Sequence, residues 1–338
     1  MLEKTQEEIM KKWPALWTSP MVTIRCLVYN HGRYISQSLD SFLMQETDFP
    51  FEIFVHDDAS TDDSAKIIRE YEKKYPEIIK AVYETENQYS KKNNSLRKIA
   101  WSEKNNRGKY ISLCEGDDYW IDSQKLQKQF DFLENNPEYS IVTGNTQVIN
   151  ENGEFIRVAL APRNSGEFNL DEYCTAPHTS TYFFRNYMHP TYVDCLKKFQ
   201  QNFALFKGWD KSLLLFCLSM GKMYYIDEFM SAYRYVTSNG SNWTSQMYRV
   251  NKTKIIADVE KNMLSQVKAY QLNLDIRPHF YNNVILYALK FFIKTGKFSD
   301  FVMVLYAIRV CPSKLFFVFW AVKKTLKKVL KKMRLIQA

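Results

Sequence analysis

At 338 residues the chain is long enough for about two domains. Its 46% hydrophobic, 15% aromatic and 25% charged residues, with ten Gly and ten Pro, exclude disordered, collagen-like and low-complexity classes. The net charge of +9 is local: after Asp300 there is no acidic residue but nine basic ones from Arg309 to Arg334, and removing them from the total of 46 leaves 37 against 37 acidic residues.

The first twenty residues read as a polar helical lead. VTIRCLVYN (22–30) has the apolar character of a buried strand, and HGRYISQSLDSFLMQ (31–45) predicts a helix with Ile35, Leu39, Phe42 and Leu43 on one face. FEIFV (51–55) is a second strand that runs into HDDASTDD, followed by a helix from Ser64 to Tyr75 that ends before Pro76. IIKAVYE (78–84) and KYISLCE (109–115) are two further strands. Strands separated by helices pair in parallel, so the predicted class is α/β, a Rossmann-like open, mostly parallel sheet flanked by helices, with a C-terminal helical extension.

Ligands of such sheets bind beyond the carboxyl ends of the strands. Those ends carry Tyr29 and Asn30, then Asp57 and Asp58, then Glu115, Gly116, Asp117 and Asp118, so two acidic clusters converge on one edge. Asp62 or Asp63 reads as a cap of the helix from Ser64, and Asp122 as a cap of KLQKQFDFLENN. Capping does not account for the remaining acids. Adjacent carboxylates closing a buried strand repel unless a cation or a hydrogen-bonding ligand lies between them, and a metal is the economical answer. A hard divalent cation takes one or two carboxylates and completes its shell with water and substrate phosphates. Neither G-x-x-x-x-G-K-S/T nor G-x-G-x-x-G occurs, which argues against P-loop and ordinary dinucleotide-binding proteins.

VTIRCLVYNHGRYISQSLDSFLMQ, FEIFVHDDASTDDS and GKYISLCEGDDYW, in this order, resemble the motifs of inverting family 2 glycosyltransferases with the GT-A fold, of the bacterial surface-glycan type. FKGWDKSLLLFCLSMGKMYYIDEFMSAYRY (206–235) is similar to the acceptor-side segment of that family. The resemblance implies that Tyr29, Asn30, Asp57 and Asp58 line a nucleotide pocket, with Asp58 accepting from the base. It also implies that Glu115 and Gly116 lie by the ribose, and that Asp117, with Glu115, holds Mn²⁺ or Mg²⁺ against the diphosphate. Asp210 of G-W-D would be the general base, although it also suits the start of a helix. Arg234 would contact the diphosphate or form an ordinary ion pair. Trp209 and His178 are acceptor-side candidates, against plain core and structural roles. The chain departs from the family pattern at Glu115, where Asp is usual, and at Val236, near the place of a frequent His.

Residues 248–300 read as helices, with Ile255, Ile256, Val259 and Met263 at helical spacing. Beyond them FVMVLYAIRV and LFFVFWAV are too short to span a bilayer, and KKTLKKVLKKMRLIQA sets Leu326, Val329, Leu330 and Met333 opposite lysines, the pattern of an interfacial helix. The expected organisation is a lead over 1–20, a GT-A domain over 21–245, a helical extension over 246–300 and a basic membrane-associating tail over 301–338. The N-terminus lacks the apolar core of a signal peptide, and the scattered cysteines suit a reduced compartment. The implied protein is cytoplasmic and peripheral on the cytoplasmic face of the inner membrane, contacting anionic lipid through 313–336. Its implied activity is transfer of a sugar from a nucleotide-sugar, a UDP-sugar first, to a lipid-linked or surface-polysaccharide acceptor. No nucleic-acid partner is expected. The competing readings are a metal-dependent nucleotidyltransferase and a non-catalytic membrane or nucleic-acid binding protein.

Overall fold

The computed structural model describes residues 3–15, 18–89, 106–161, 163–168, 176–189, 191, 198, 210–236, 251–275 and 277–312. They fall into two units, Met1–Phe168 with Pro177–Val236, and Asn169–Ala176 with Thr237–Ala338.

Among the described residues the first unit is built on one ten-stranded sheet. β1 (Val22–Val28) and β2 (Phe51–Asp57) are buried along almost their whole length, as parallel strands covered on both faces must be. They pair in parallel from Val22 beside Phe51 to Val28 beside Asp57, so their carboxyl ends finish level. β3 (Ile79–Tyr83) adds to the far side of β2 and β4 (Tyr110–Leu113) to the far side of β1, both parallel. Past β4 the sheet becomes mixed. β5 (Tyr119–Trp120), β6 (Tyr139–Ile149), β7 (Phe155–Val158), β8 (Gly166–Glu167), β9 (Phe183–Arg185) and β10 (Lys222–Arg234) complete it. β9 runs antiparallel between β4 and β6, while β6 and β10 run parallel to each other.

α1 (Gln6–Met10) opens on a capping box in which Thr5 and Glu8 exchange hydrogen bonds. The lead is thereby fastened to the core, with Ile9 and Trp13 buried and the Trp13 indole N–H donating to Thr47 Oγ1 at 3.0 Å. α2 (Ile35–Leu43) buries Ile35, Leu39, Phe42 and Leu43 completely, the face its periodicity predicts. It starts at Ile35 and not at His31, because the N–H groups of Asn30, His31 and Gly32 donate across to Ser60, Ser64 and Asp62. α3 (Ser64–Lys74) and α4 (Lys125–Asn135) flank the sheet. Asp62, two residues ahead of α3, accepts the Ser64 N–H at 2.9 Å. Asp122 acts in the same way at one remove, accepting from Gln124 N–H and pairing with Lys128, so it is a turn former and not the N-cap, a position Gln124 occupies. α5 (Asp210–Met220) is apolar and largely buried.

In the second unit α6 (Thr253–Ala269), α7 (Arg277–Phe280), a π-helical turn over Tyr281–Ile285, α8 (Leu286–Thr295) and α9 (Phe298–Arg309) share a small core. The buried face of α6 is Ala257, Glu260, Met263 and Val267; Ile255, expected in the core, is exposed. Among the described residues no helix is long and apolar enough to cross a membrane. The segment 313–338, with its expected lipid-binding pattern, lies outside the described residues, as does Trp209.

Candidate active site at the carboxyl edge of the sheet

β4 stops at Leu113, but the chain continues alongside β1: Cys114 N–H donates to Arg25 O at 3.1 Å and Gly116 N–H to Leu27 O at 2.9 Å. This carries the acidic turn 115–118 to the level where β1 ends, beside Tyr29, Asn30 and His31. Gly116 is required there, because a Cβ at that position would lie 2.9 Å from both His31 Nδ1 and Val28 Cγ2. Ser38 of α2 secures the turn from below, donating to the carbonyls of Gly116 and Asp118 at 3.0 and 2.6 Å. The far end of β10 secures it from the side. Arg234 N–H donates to Asp118 Oδ1 at 2.9 Å, its Nε to Asp117 O at 3.0 Å and its Nη2 to Gln37 Oε1 at 2.7 Å. The guanidinium also lies 4.3 Å from the Tyr34 ring centroid and is only 4% exposed. Arg234 is therefore committed to shaping the acidic turn and is not the exposed ion pair considered from sequence.

The first acidic cluster is held differently. Asn30 adopts the left-handed region at φ 57°, and its side-chain oxygen accepts the Thr61 N–H at 2.8 Å, which links the ends of β1 and β2. Asp58 accepts from the backbone N–H groups of Gln88 and Tyr89 at 2.7 and 3.1 Å. Asp57 Oδ2 accepts from Ser60 N–H at 3.3 Å, while its buried Oδ1 has no hydrogen-bond partner among the described residues. Main-chain N–H groups thus offset part of the negative charge at Asp57–Asp58. Tyr29 is exposed at the same edge.

Charge accumulates around the second cluster. Part of Glu115 is accessible, yet the protein packed around its carboxyl, followed by the negative charges of Asp117 and then Asp210, pushes it up to about 8. Asp118, 2% exposed, is held well above the usual carboxylate range by burial and by Asp117, against the Arg234 hydrogen bond. Asp210, the first residue of α5, is exposed, yet the protein around its carboxyl raises it too, with Lys211 opposing. The structure thus brings Asp210 within electrostatic reach of Glu115, although the two lie almost a hundred residues apart in sequence. Tyr89 and Tyr182 border the same region, since the charge of Asp210 raises both hydroxyls after burial.

His178 caps the 3₁₀ turn Thr179–Thr181, accepting the Ser180 N–H at 3.4 Å with its Nδ1 2.7 Å from Ser180 Oγ. Its ring lies 4.2 Å from that of Tyr233, and burial lowers its pKa to about 4, so it is neutral at physiological pH. His31 escaped the sequence reading. Its Nε2 lies 3.8 Å from Asp117 Oδ2, and its Nδ1 has no partner among the described residues. Its position directly after Asn30 was the available signal. Tyr89, in a loop without periodicity, offered none.

Among the described residues no three His, Cys, Asp or Glu side chains converge closely enough to cage a metal by themselves. Glu115 and Asp117 suit a cation that takes one or two carboxylates and fills its shell from phosphate and water, because a carboxyl raised by the protein packed around it and then by its neighbours' charge gains from a nearby cation.

The model of the family described as Glycosyl transferase family 2 matches residues 26–206. An uncharacterized protein of Mycobacterium tuberculosis is 38% identical over 132 residues, 39% of this chain but 37% of that protein, so the chain matches little more than a third of that relative's length. An uncharacterized glycosyltransferase of Methanocaldococcus jannaschii is 27% identical across 81% of this chain and 86% of its own. The crystal structure of S. aureus TarS 1–349 in complex with UDP-GlcNAc superposes with a TM-score of 0.60 at 17% identity, covering 86% of this chain and 81% of that one, a likeness of fold.

Proposed function

We propose, because the chain belongs to glycosyl transferase family 2, that it transfers a sugar from a nucleotide-sugar to a hydroxyl of a lipid-linked or surface-polysaccharide acceptor by a single inverting displacement. The observation that carries this reading is the acidic turn 115–118, held beside the ends of β1 and β2 by the backbone of β1, by Ser38 and by Arg234. Binding of UDP-GlcNAc by the structurally similar TarS favours a UDP-sugar donor.

In this reading Tyr29 and Asn30 flank the base. Asp58 accepts from the base with lone pairs that the N–H groups of 88–89 leave open, and Asp57 lies beside it. Asp117, with Glu115, holds Mn²⁺ or Mg²⁺, which when bound stabilises the charge of the departing nucleoside diphosphate. Arg234 positions the backbone of Asp117 and the side chain of Asp118. Asp210 takes the proton of the acceptor hydroxyl as it attacks the anomeric carbon, the bond from that carbon to the diphosphate oxygen breaks, and the configuration inverts. The raised carboxyl of Asp210 suits that task, since a base works best with its pKa moved towards the operating pH. Attachment to the cytoplasmic face of a membrane through the basic segment 313–336 would bring the site to a lipid-linked acceptor.

A screen of nucleotide-sugars for hydrolysis and thermal stabilisation, with and without Mn²⁺, tests the reading. One nucleotide-sugar is expected to stabilise and turn over only with the metal, releasing nucleoside diphosphate. Release of pyrophosphate from a nucleoside triphosphate and a sugar 1-phosphate would replace this reading with nucleotidyl transfer.

A further inference from the structure

α9 is apolar on two faces. Val304 and Ala307 point into the small core of the helical unit. Phe298, Phe301, Val302, Leu305 and Ile308 are exposed, and their spacings of three, four and seven residues put them on one outward stripe. At the turn from α8 to α9, Ile293 and Phe298 are 79% and 78% exposed, more than any other large apolar side chain among the described residues. A water-facing helix places polar residues on that side, so this stripe calls for an apolar partner.

The turn is a built feature. Gly296 takes φ 64° and its N–H donates to Phe292 O at 2.8 Å, a left-handed cap that only glycine adopts at little cost. Asp300 accepts from Thr295 Oγ1 at 2.5 Å and from Asn251 Nδ2 at 2.8 Å, and the rings of Phe292 and Phe301 meet at 5.4 Å. Charge selects the partner. Lys290, Lys294, Lys297 and Arg309 are exposed around the stripe, and from Leu286 to the C-terminus Asp300 is the only acidic residue and is itself buried. A second copy of the chain would bring two positive rims together. A surface that is anionic outside and apolar within satisfies both features, and a lipid bilayer is such a surface.

We propose that the α8–α9 hairpin enters an anionic bilayer, Ile293 and Phe298 reaching the acyl boundary while Lys290, Lys294 and Lys297 meet headgroup phosphates. This rests on the reading of the protein as membrane-associated, but not on segment 313–336. That segment carries an apolar stripe of its own, so the two contacts are separated by substitution within the hairpin, which leaves 313–336 unchanged, and the salt series reports the electrostatic share of each.

The test uses the full chain with phosphatidylglycerol/phosphatidylcholine vesicles at low and high salt, comparing wild type with Ile293→Asp/Phe298→Asp, sites whose exposure spares the core. Salt-resistant binding is expected to fall about tenfold or more in the double variant. Phe298→Trp is expected to add a blue-shifted emission, quenched by brominated lipid, over that of the wild type. Equal salt-resistant binding of wild type and double variant, or an added emission in Phe298→Trp that brominated lipid leaves unchanged, would overturn the proposal. So would sedimentation showing a dimer that the double variant dissolves without change in vesicle binding, which would make the stripe a self-association face.

Discussion

Arg234 donates from Nε to the main-chain carbonyl of Asp117 at 3.0 Å, tying the last long strand of the sheet to the acidic turn. The same guanidinium reaches Gln37 on α2, so three elements distant in sequence meet at one planar group. A lysine cannot reproduce this fork, since it presents one charge on a flexible stem. Arg234→Lys is expected to leave the fold intact while lowering kcat/KM by roughly 10- to 100-fold, with much of the loss in donor affinity, because a misplaced turn misplaces its carboxylates. Steady-state kinetics with the donor varied, alongside circular dichroism, measures this; unchanged kinetics would remove Arg234 from the positioning machinery.

Asp117→Ala is expected to abolish the metal-dependent part of UDP binding without unfolding the protein. Titration calorimetry with Mn²⁺ and with EDTA separates that part. Equal affinity in wild type and variant under both conditions would mean that the diphosphate is held elsewhere.

Asp210→Asn separates binding from chemistry. An amide cannot take up the acceptor proton, so turnover is expected to drop by roughly 10²- to 10⁴-fold while donor affinity stays near that of the wild type. Product analysis at donor saturation supplies the measurement, and wild-type turnover in the variant would assign the base to another residue.

Lys125 makes a prediction about stability. It is fully buried beneath the edge, with Nζ 2.9 Å from Ser112 Oγ, 2.8 Å from Gln129 Oε1 and 4.1 Å from the Trp120 ring centroid. Burial lowers its pKa from 10.5 to about 7. Between those values the unfolded chain holds a proton that the folded chain has released, so this group makes stability rise with pH, by up to about 1.4 kcal/mol per unit. Lys125→Met removes that slope, and the destabilising cost of the buried amine at neutral pH with it. Urea midpoints at about pH 7 and pH 9.5 are expected to show the wild type gaining stability relative to the variant as pH rises; parallel responses would indicate that Lys125 titrates alike in both states.

Local pattern was enough for much of this protein. The apolar runs of β1 and β2, the buried face of α2, the halt of α3 before Pro76 and the acidic residues at two strand ends all follow from neighbours in sequence, because strand burial and helical periodicity repeat over a few residues. Elsewhere local pattern misled. Helical spacing included Ile255, yet α6 buries the face through Ala257 and Met263, because the helices packed against it decide which side turns inward.

What only the tertiary structure decided are the relationships across long separations. The register of β1 against β2 and the run of 114–116 along β1 set the acidic turn beside His31, and the course of β10 brings Arg234 back to it. The protein packed around Glu115, followed by the charges of Asp117 and then Asp210, raises its carboxyl to about 8, and the first and last of these causes are set by the fold and not by neighbours in sequence. Only the fold shows that the backbone N–H groups of Gln88 and Tyr89 donate to Asp58, about thirty residues earlier. Composition alone determined that the C-terminal region is basic; the packing of α9 decided that its outward face is apolar, because only the fold determines which of two apolar faces the core has room to bury.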